Sequence, residues 1–389
     1  MSVADQPLRV VFLTSEFPPL PHGGIGVFVE GMTRGLVQAG HEAVVIGVTP
    51  HIADRTEEDQ AGVRVIRVPE GRLRSVGAFD AALAVRREVA PWLDHPRAVI
   101  EGSELSLWAL PQPWMDKSIA RLHGGHRFFA DAEGRKPKVL RAAIEKRSLR
   151  RAGHLVGVSR YVLDRTTELV GLTPRSVRVI YNGVDETLFR PQDDQEADED
   201  LVVFVGTLCE KKGLRHLVRA IDLLRQEGRS VRLRVAGRDA GAPDGSGSFL
   251  DHVLAEVPVA TRSRIEYVGS VDHREMPEIY GAAAVVALPS LMEAQGIAWV
   301  EAMACGRPLV GSTAGPGPEV VDDGRSGLLR SPTDPAAIAD GIRTVLTDPV
   351  LAAELGAAAR QVVCRRFTLD EATESNIGLY RDVVDDARV

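Results

Sequence analysis

Two glutamates lie eight positions apart, Glu293 and Glu301, in the stretch EAQGIAWVEAMACG, which follows the apolar run AAAVVALPS. The run predicts a buried strand that ends at Pro289, and the residues after it predict a helix that opens at Gly296 and continues to Ala304. A helix N-terminus offers unpaired N–H groups and a partial positive charge, which together favour an anion. We therefore expect a diphosphate between the two carboxylates, with sugar hydroxyl groups hydrogen-bonded to each of them.

A basic counterpart occurs earlier, in FVGTLCEKKG. This pattern predicts a strand that ends at Val205, a turn at Gly206 and a helix that begins near Gly213. Lys211 and Lys212 would then lie at the carboxyl edge of the same sheet, where an ammonium group could neutralise a departing phosphate. The alternative is a solvated pair of lysines at a helix start, which the helix dipole mildly disfavours.

The elements that must position these residues follow a regular rhythm. Short apolar runs alternate with helical or turn segments from LRVVFLT at 8–14 to SVRVIYNG, and the rhythm restarts with LVVFVG after the polar stretch QDDQEADED. This alternation is typical of parallel α/β sheets. We predict a first domain over 1–190, an acidic linker over 191–200, a second domain over 201–370 and a final helix over 371–389 that packs back towards the first domain.

Composition excludes several classes of protein. The chain has 389 residues, a formal charge of -7 and a sequence pI near 5.9, which argues against a nucleic-acid partner because such proteins carry a broad basic surface. Its three cysteines show neither a disulfide framework nor metal-ligand spacing. No apolar run has the roughly 20 residues that a membrane span needs. We expect a cytoplasmic protein with no metal site.

The pattern Glu, seven residues, Glu in PSLMEAQGIAWVEAMACGRPLV resembles the signature of the retaining glycosyltransferases of family 4, the group 1 glycosyltransferases. Other features of that family occur in order: GGIGVFV, HG at 123–124, VGVSRYV, NGVD at 182–185, FVGTLCEKKG and GPGPEVVDDGRSGLL. The resemblance covers nearly the whole chain. It implies the GT-B fold, in which an N-terminal acceptor-side domain and a C-terminal nucleotide-sugar domain, both α/β and Rossmann-like, face each other across a cleft.

The resemblance also assigns roles to the residues of the second domain. It implies that Glu293 contacts the donor sugar, that backbone N–H groups around Gly296 and Ile297 hold the diphosphate, and that Glu301 takes the ribose. Lys212 matches the family lysine that binds the same diphosphate. The alternative for the two glutamates is that they only complement the dipole of the helix.

One position departs from the family pattern. Members usually carry arginine directly after the glycine of the FVG turn, as a second cation for the phosphates, whereas this chain has Thr207. Thr207 could donate one hydroxyl hydrogen bond, Lys211 could replace the missing charge, or the phosphate site could be weaker. The sequence leaves these three possibilities open.

Glycines near the N-terminus could bring backbone close to a ligand. Gly23 and Gly24 follow the first strand and precede a helix predicted over about 26–39, so they could approach the donor phosphate or the acceptor; a tight turn is the alternative. The stretch lacks the third glycine of a dinucleotide fingerprint, and the second strand, AVVIGVT, does not end in an acidic residue. Both absences argue against a dehydrogenase.

Two histidines belong to the same half of the chain. His123 ends the strand SIARLH and precedes two glycines, so its ring is expected in the cleft, where the family histidine contacts the donor sugar. A structural histidine at a strand end is the alternative. His126 is a weaker candidate for contact with the acceptor.

The segment RKPKVLRAAIEKRSLRRAG at 135–153 carries eight lysines and arginines against a single acidic residue, Glu145. Leu140 and Ile144 are expected to form part of an apolar stripe at helical spacing. The segment could approach an acidic acceptor or the anionic inner face of a membrane, as a peripheral contact. The alternative is an ordinary solvated helix face.

Together these features imply a hexosyltransferase-type reaction that retains configuration and needs no metal or other cofactor. The donor would be a nucleoside diphosphate sugar, and the acceptor a hydroxyl in polysaccharide, glycolipid or glycosylated metabolite biosynthesis. The acidic triplet DED at 198–200 is assigned to the linker and not to a metal site. The alternatives are a nucleotide-sugar epimerase or phosphorylase, and a sugar-nucleotide-binding protein without turnover.

Overall fold

The computed structural model of the chain describes residues 6–20, 23–50, 52–70, 77–192, 197–245 and 247–387. Residue contacts divide the chain into two compact units. Unit 1 comprises Met1–Gly183 and Leu369–Val389, and unit 2 comprises Val184–Thr368. The chain thus passes from unit 1 to unit 2 between Gly183 and Val184 and returns to unit 1 between Thr368 and Leu369.

Unit 1 contains an eight-stranded sheet in the order β3-β4-β2-β1-β5-β6-β7-β8, and every neighbouring pair is parallel except β3 and β4. The central strands are continuous runs of buried apolar residues because helices cover both faces of a parallel sheet. The strands are β1 (Arg9–Leu13), β2 (Glu42–Thr49), β3 (Thr56–Gln60), β4 (Val63–Pro69), β5 (Ala98–Ser103), β6 (Ser118–Leu122), β7 (His154–Gly157) and β8 (Val177–Val179).

Seven α-helices belong to the described part of unit 1. They are α1 (Gly24–Gln38), α2 (Gly77–Val89), α3 (Gln112–Met115), α4 (His126–Ala132), α5 (Val139–Arg151), α6 (Arg160–Val170) and α15 (Leu369–Asp386). Helix α6 shows how local sequence sets the ends: the Ser159 side chain accepts the N–H of Val162, and Gly171 closes the helix at φ 65°.

Helix α15 is anchored in unit 1 by a buried polar network. The Arg121 guanidinium contacts the Glu101 carboxylate and the Asn376 side-chain oxygen, and Tyr380 donates to Glu101 Oε2 at 2.7 Å. Arg121 also lies 4.5 Å above the ring of Phe28 on α1. A buried charge is tolerated only when it is paired and hydrogen-bonded, so these contacts fix α15 against β5 and β6.

Unit 2 contains a six-stranded parallel sheet in the order β11-β10-β9-β12-β13-β14. Its strands are β9 (Asp198–Val205), β10 (Arg232–Ala236), β11 (Ile265–Gly269), β12 (Ala283–Ala287), β13 (Leu309–Ser312) and β14 (Leu328–Arg330). Its α-helices within the described residues are α7 (Leu214–Gln226), α8 (Phe249–Leu254), α9 (Val259–Arg262), α10 (Met276–Gly281), α11 (Ile297–Ala304), α12 (Gly317–Val320), α13 (Pro335–Thr347) and α14 (Pro349–Arg366).

The two sheets share one topology. In each, the first strand lies between its successor on one side and a later strand on the other, β1 between β2 and β5, and β9 between β10 and β12. The chain therefore reverses its winding direction at β1/β5 in unit 1 and at β9/β12 in unit 2. A crevice opens beyond the carboxyl ends of the strands at such a switch point, which is where ligands of doubly wound sheets bind.

The structure corrects two boundaries of the sequence prediction. Helix α1 begins at Gly24, two residues before the predicted start, so Gly24 is a helix residue. Strand β9 begins at Asp198, so the triplet DED at 198–200 is strand and not linker, and the Asp198 carboxylate pairs with Arg232 of β10. Residues 193–196 of the predicted linker lie outside the described residues.

Two further observations concern what the described residues lack. No helix among them combines the length and the apolarity that a crossing of the bilayer requires. Within the same residues, no group of three or more histidines, cysteines or carboxylates is arranged to hold a metal ion.

Candidate functional site

The two loops at the β9/β12 switch point of unit 2 are locked together by backbone contacts. Gly213 has φ 75°, a conformation that favours glycine, and a Cβ at this position would collide with the carbonyl oxygen of Pro289. The carbonyl oxygen of Lys211 accepts the N–H of Leu291 at 2.8 Å. The loop after β9 and the loop after β12 therefore hold a fixed separation.

This locking brings Lys212 and Glu293 together, as the sequence predicts for their shared sheet edge. The Lys212 Nζ atom donates to Glu293 Oε1 at 2.6 Å, and the Ser290 hydroxyl donates to the same oxygen at 2.8 Å. The Lys212 side chain is 23% exposed and the Glu293 side chain 14% exposed. An ammonium and a carboxylate thus meet in a half-buried crevice, where charge interactions are stronger than in bulk water.

Helix α11 begins beside this pair. Gly296 is its N-cap at φ 89°, and a Cβ there would collide with the indole ring of Trp299. The Trp299 ring is itself fixed, because its Nε1 donates to the carbonyl oxygen of Leu288 at 3.0 Å. The N–H groups of Ile297 and Ala298 lie in the first helical turn, where they have no partner within the helix. They are available to an anion at the end of the helix.

Glu301 lies deeper in α11 and is buried. Its Oε1 is 2.8 Å from Nε2 of His273, and its Oε2 accepts the hydroxyl of Tyr280 at 2.8 Å. Burial and the neighbouring Glu301 carboxylate raise the pKa of Tyr280 well above its usual value, so Tyr280 stays a donor. Each carboxylate oxygen therefore already has one partner and keeps a lone pair for a further donor.

Thr207 and Lys211 lie on the same loop as Lys212. Gly206, at φ 144°, follows the last residue of β9. Thr207 comes next and is half-buried. Among the described residues, the Thr207 hydroxyl forms no hydrogen bond, so it is available as a donor. Lys211 is half-buried, and its carbonyl fixes the facing loop.

In unit 1, His123 lies directly after β6 and packs against α1. Its ring centroid is 5.3 Å from that of Phe28. Loss of water around the ring, together with the positive charge of Arg121, lowers the pKa of His123 to about 3. The imidazole is therefore neutral near pH 7 and can donate or accept a hydrogen bond, but it supplies no positive charge.

Two buried carboxyl groups, Glu104 and Glu145, lie beneath the glycines after His123. A Cβ at Gly125 would meet both of them, so only glycine lets the loop approach so closely. Burial and the nearby Glu145 raise the pKa of Glu104 to about 8. Glu145 accepts the N–H of Arg127 at 3.2 Å, and burial raises its pKa as well. Among the residues that the structure describes, none is a hydrogen-bond partner of Glu104 Oε1.

Gly23 and Gly24 form the start of α1 in unit 1. Gly23 is the N-cap, and its N–H donates to Glu16 Oε2 at 2.9 Å. Gly24 is the first helical residue. A ligand that approaches the backbone of these glycines, as the sequence predicts, would therefore compete with the Glu16 carboxylate, which already lies at the helix N-terminus.

The basic segment at 135–151 forms α5 and the residues before it. Its buried face is built by Ala142, Glu145, Ser148 and Leu149. Leu140, which the sequence predicts as part of an apolar stripe at helical spacing, is 69% exposed and Val139 is 86% exposed, so both lie outside the buried face of α5. The ring of His126 accepts the backbone N–H of Lys138 through Nε2 at 2.8 Å, so it fixes the start of α5.

Sequence reasoning missed Ser290, His273, Tyr280 and Glu104. Ser290 stands three positions before Glu293 at the end of a predicted strand, and this position was the only signal for it. His273 and Tyr280 precede Glu301 by 28 and 21 positions and join it only through the fold. Glu104 follows β5 directly, so its position after a predicted strand was a usable signal.

Two family models match consecutive parts of the chain. The model for Glycosyltransferase Family 4 matches residues 22–188, and the model for Glycosyl transferases group 1 matches residues 199–348. The two matches correspond closely to unit 1 and unit 2. They agree with the family that the sequence motifs indicate.

Similar proteins cover nearly the whole chain. D-inositol 3-phosphate glycosyltransferase of Xylanimonas cellulosilytica is 29% identical over 96% of this chain and 96% of its own. The solved sucrose-phosphate synthase of Thermosynechococcus elongatus is 24% identical, covers 97% of this chain and 99% of its own, and superposes with a TM-score of 0.81.

A third likeness concerns the fold alone. Anabaena HepE, solved in complex with UDP-glucose, covers 96% of this chain and 100% of its own at 16% identity, with a TM-score of 0.73. The α/β fold class with two parallel sheets, predicted as GT-B, is confirmed. The chain belongs to glycosyltransferase family 4, the group 1 glycosyltransferases, and it is a glycosyltransferase of the GT-B type.

Proposed function

We propose that this enzyme transfers a sugar from a nucleoside diphosphate sugar to an acceptor hydroxyl with retention of configuration and without a metal ion. The Lys212–Glu293 pair beside the N-terminus of α11 carries the proposal, because it combines a cation, a carboxylate and free N–H groups at one switch point. HepE, a structural neighbour, was solved with a nucleotide sugar, which supports the donor class.

The leaving diphosphate would be stabilised by three groups of unit 2. Lys212 would exchange its bond to Glu293 for a phosphate oxygen, while the N–H groups of Ile297 and Ala298 bind the same anion. The Thr207 hydroxyl offers one further hydrogen bond in place of the family arginine. A charge-assisted hydrogen bond contributes roughly 1.5–3 kcal/mol, and its effect grows as negative charge develops on the leaving group.

Glu293, released from Lys212, would accept hydrogen bonds from hydroxyl groups of the donor sugar and orient it. Ser290 keeps the carboxylate in place during this exchange because it donates to Glu293 Oε1 independently of Lys212. Glu301, held by His273 and Tyr280, would accept a ribose hydroxyl. In unit 1, the neutral His123 would donate a hydrogen bond to the donor sugar, and the backbone at Gly23 and Gly24 would approach the phosphates.

The proposed reaction is a front-face displacement. The bond between the anomeric carbon and the diphosphate oxygen breaks, and the acceptor oxygen forms its bond on the same face. The acceptor proton passes to the departing phosphate oxygen, so no protein side chain needs to act as general base. Because the acceptor oxygen attacks the anomeric carbon directly, no protein carboxylate needs to act as nucleophile. Retention of configuration follows from this geometry.

The first test is thermal stabilisation by UDP-, GDP-, ADP- and dTDP-sugars, followed by donor consumption with the best of them. We expect one nucleotide to stabilise the enzyme and Lys212→Ala to reduce that shift. Lys136→Ala, which removes an exposed lysine of unit 1, is the matched control and should leave the shift unchanged. Stabilisation by no nucleotide sugar, in folded protein, would refute the donor site.

Product analysis tests the reaction type. With an acceptor present, nuclear magnetic resonance of the anomeric proton should show the donor configuration retained in the product. Conversion of the donor to its epimer without an acceptor would instead identify an epimerase. Binding without turnover across a broad panel of acceptors would support a sugar-nucleotide-binding protein.

Helix α5 supports a peripheral contact with an anionic membrane surface as part of this function. Val139 and Leu140 are largely exposed next to Lys136, Lys138 and Arg141. Apolar side chains flanked by cations suit an anionic interface. Sedimentation with vesicles of phosphatidylglycerol should recover the enzyme, and a variant with Val139→Ser and Leu140→Ser should stay in solution. Equal recovery of both proteins would exclude this contact.

A further inference from the structure

Two buried glutamates of unit 1 lie against the loop that carries His123. Glu104 follows β5 and is 3% exposed, and Glu145 of α5 is 0% exposed. The His123 loop, residues 123–127, connects β6 to the first turn of α4. Both glutamates therefore reach the loop from other elements of the fold. A carboxyl group that is removed from water needs hydrogen-bond donors from the protein.

Glu104 meets its donors in the backbone of the His123 loop. Burial raises the pKa of its carboxyl group to about 8, and the N–H groups of His123 and Gly124, which lie against it, oppose the rise. Among the described residues, no cationic side chain forms an ion pair with Glu104, and none is a hydrogen-bond partner of its Oε1 atom. The Glu104 carboxyl group therefore serves the backbone of the loop and not a charged side chain.

Glu145 takes the other end of the loop. It accepts the N–H of Arg127 at 3.2 Å, and the Arg127 Nε atom lies 3.8 Å from the same carboxylate. Burial raises the pKa of Glu145, and the N–H groups of Arg127 and His126 oppose the rise. Helix α4 begins at these N–H groups, so Glu145 caps that helix. No helix begins at the N–H groups that face Glu104, which therefore has another role.

Two glycines allow the loop to lie this close to the glutamates. A Cβ at Gly125 would collide with Glu145 Oε1 and lie 3.1 Å from Cγ of Glu104. Gly125 has an ordinary φ of -79°, so the close approach, and not the conformation, requires glycine there. Gly124 has φ 90°, a conformation that favours glycine, and a Cβ there would lie 2.7 Å from the ring of Phe129. The loop therefore packs directly against both carboxyl groups.

The His123 ring depends on this backbone for its position. The ring lies 5.3 Å from that of Phe28, and the Arg121 guanidinium lies 4.5 Å from the same Phe28 ring. Among the described residues, the imidazole forms no hydrogen bond. Because a contact between rings does not by itself orient the imidazole nitrogens, the backbone of His123 decides where they lie.

We propose that Glu104 is a positioning residue for the glycosyl transfer, because its carboxyl group receives backbone N–H groups of the His123 loop and so places His123 for the donor sugar. This inference rests on the proposed function, in which His123 donates a hydrogen bond to that sugar. The role requires an acceptor oxygen at the end of the side chain and does not require a negative charge. Glutamine supplies such an oxygen at the same distance from the backbone, whereas leucine supplies none.

Turnover with the best donor tests this role. Glu104→Leu should lower kcat about tenfold or more, because a misplaced group loses its effect in the transition state. Glu104→Gln, the matched variant at the same position, should recover most of the lost turnover. Affinity for the nucleoside diphosphate, measured by titration calorimetry, should be the same in all three proteins, since we assign that site to unit 2. Full turnover of a folded Glu104→Leu variant would overturn the inference.

A double-mutant cycle with His123→Ala separates positioning from general damage. If Glu104 acts through His123, Glu104→Leu should change kcat by less than about twofold once the imidazole is absent. A loss of equal size in both backgrounds would overturn the inference alone. Unchanged turnover of His123→Ala would refute the role of His123 in the proposed function, and the inference with it.

A second substitution covers the case in which Glu104→Leu does not fold. Gly125→Ala pushes the loop away from both carboxyl groups and should also lower kcat about tenfold. Gly378→Ala of α15, which has open space around it, is the control and should leave kcat unchanged. Equal turnover of the two folded variants would contradict the inference.

Hydrogen exchange tests the same contact without any substrate. The amides of His123 and Gly124 should exchange about fivefold faster in Glu104→Leu than in the original enzyme or in Glu104→Gln, because their acceptor is lost. Amides of α6 should exchange at the same rate in all three proteins. Equal exchange at His123 and Gly124 would overturn the inference. If the original enzyme consumes no donor, the proposed function fails, and hydrogen exchange still decides whether Glu104 holds the loop.

Discussion

The switch points of the two units show how one topology supports two kinds of chemistry. In unit 2, the crevice at β9/β12 presents Lys212, Glu293 and the N-terminus of α11, all of which suit a charged ligand. In unit 1, the crevice at β1/β5 presents a cavity lined by both apolar and polar side chains. The strand order places a ligand beyond the first strand in both sheets, while the loops decide what that ligand is.

The ionisable groups differ in the same way. In unit 1, burial keeps His123 and Glu104 neutral near pH 7, because it lowers the pKa of the histidine to about 3 and raises that of the carboxyl to about 8. In unit 2, Lys212 and Glu293 are paired and remain partly exposed. The comparison predicts that charge substitutions act on catalysis in unit 2 and on stability in unit 1.

The largest effect is expected from Lys212→Ala. The variant loses the cation that we propose binds the diphosphate and leaves Glu293 without its partner, so turnover should fall about 100- to 1000-fold, or roughly 3–4 kcal/mol of transition-state stabilisation. Glu293→Gln should also reduce turnover, and the double variant should lose less than the sum because the two residues act together. Steady-state kinetics with the best donor, and a melting curve to confirm folding, provide the measurement. Full additivity would argue against a shared role.

A substitution at the loop contact of unit 2 comes next. Gly213→Ala places a methyl group against the Pro289 carbonyl in a backbone conformation that favours glycine, so the free energy of unfolding should fall by about 3 kcal/mol. Gly171→Ala in unit 1 has a similar φ, 65°, but open space around it, and should cost only about 1 kcal/mol. Chemical denaturation of both variants measures the difference. Equal losses would mean that the loop contact contributes nothing beyond backbone strain.

The stability of the enzyme should depend on pH through the buried carboxyl of Glu104 in a way that exposed carboxyl groups do not share. Because the pKa of Glu104 is raised to about 8 in the folded state, its contribution to stability is present below the unfolded pKa near 4.3 and is lost as pH rises through 8. Glu104→Gln should remove this loss. The free energy of unfolding of the variant, relative to that of the original enzyme, should therefore rise by on the order of 3 kcal/mol between pH 5 and pH 8. Urea denaturation at both pH values measures it.

The control for this experiment is Glu354→Gln, which changes an exposed carboxyl on α14. Its stability relative to the original enzyme should be the same at pH 5 and pH 8. A Glu104→Gln variant that behaves like this control would show that Glu104 is ionised in the folded protein at neutral pH.

The smallest effect is expected at Glu301. Tyr280→Phe removes one hydrogen bond to Glu301 Oε2 and leaves His273 in place, so stability should fall by about 1 kcal/mol. The donor should bind slightly more weakly, because the carboxylate that would take the ribose is less firmly oriented. Titration calorimetry with the preferred nucleotide checks this. Unchanged donor affinity together with unchanged stability would assign Tyr280 to packing alone.

The sequence predicted the sheets well because their strands carry an apolar signal. Runs such as AVVIGV and LVVFVG are buried on both faces, and each is a strand in the structure. Strand β3, with the sequence TEEDQ, was missed because it is an antiparallel edge strand with no buried apolar residue. The sequence pattern assigns the acidic start of β9 to the linker because it is polar. In the structure Asp198 pairs with Ala283 of β12, and its carboxylate pairs with Arg232.

Residues of the candidate site could be predicted from the sequence where they lie in loops that follow predicted strands. Lys212, Glu293 and Gly296 lie in the loops that follow two predicted strands, and sequence motifs mark them. The partners of Glu301 could not be found this way, because His273 and Tyr280 approach it only through the packing of α10 and α11. The cavity of unit 1 was also hidden, since no pattern in one chain shows which apolar residues leave a space between them.

The return of the chain to unit 1 at Leu369 has a consequence for biosynthesis. Arg121 and Glu101 are made early, but Asn376 and Tyr380, which complete their buried network, leave the ribosome only after the whole of unit 2. Until then, α15 is absent from its position in unit 1, and the Arg121 guanidinium lacks its contact with Asn376. Unit 1 therefore cannot complete its core before the whole of unit 2 has been translated.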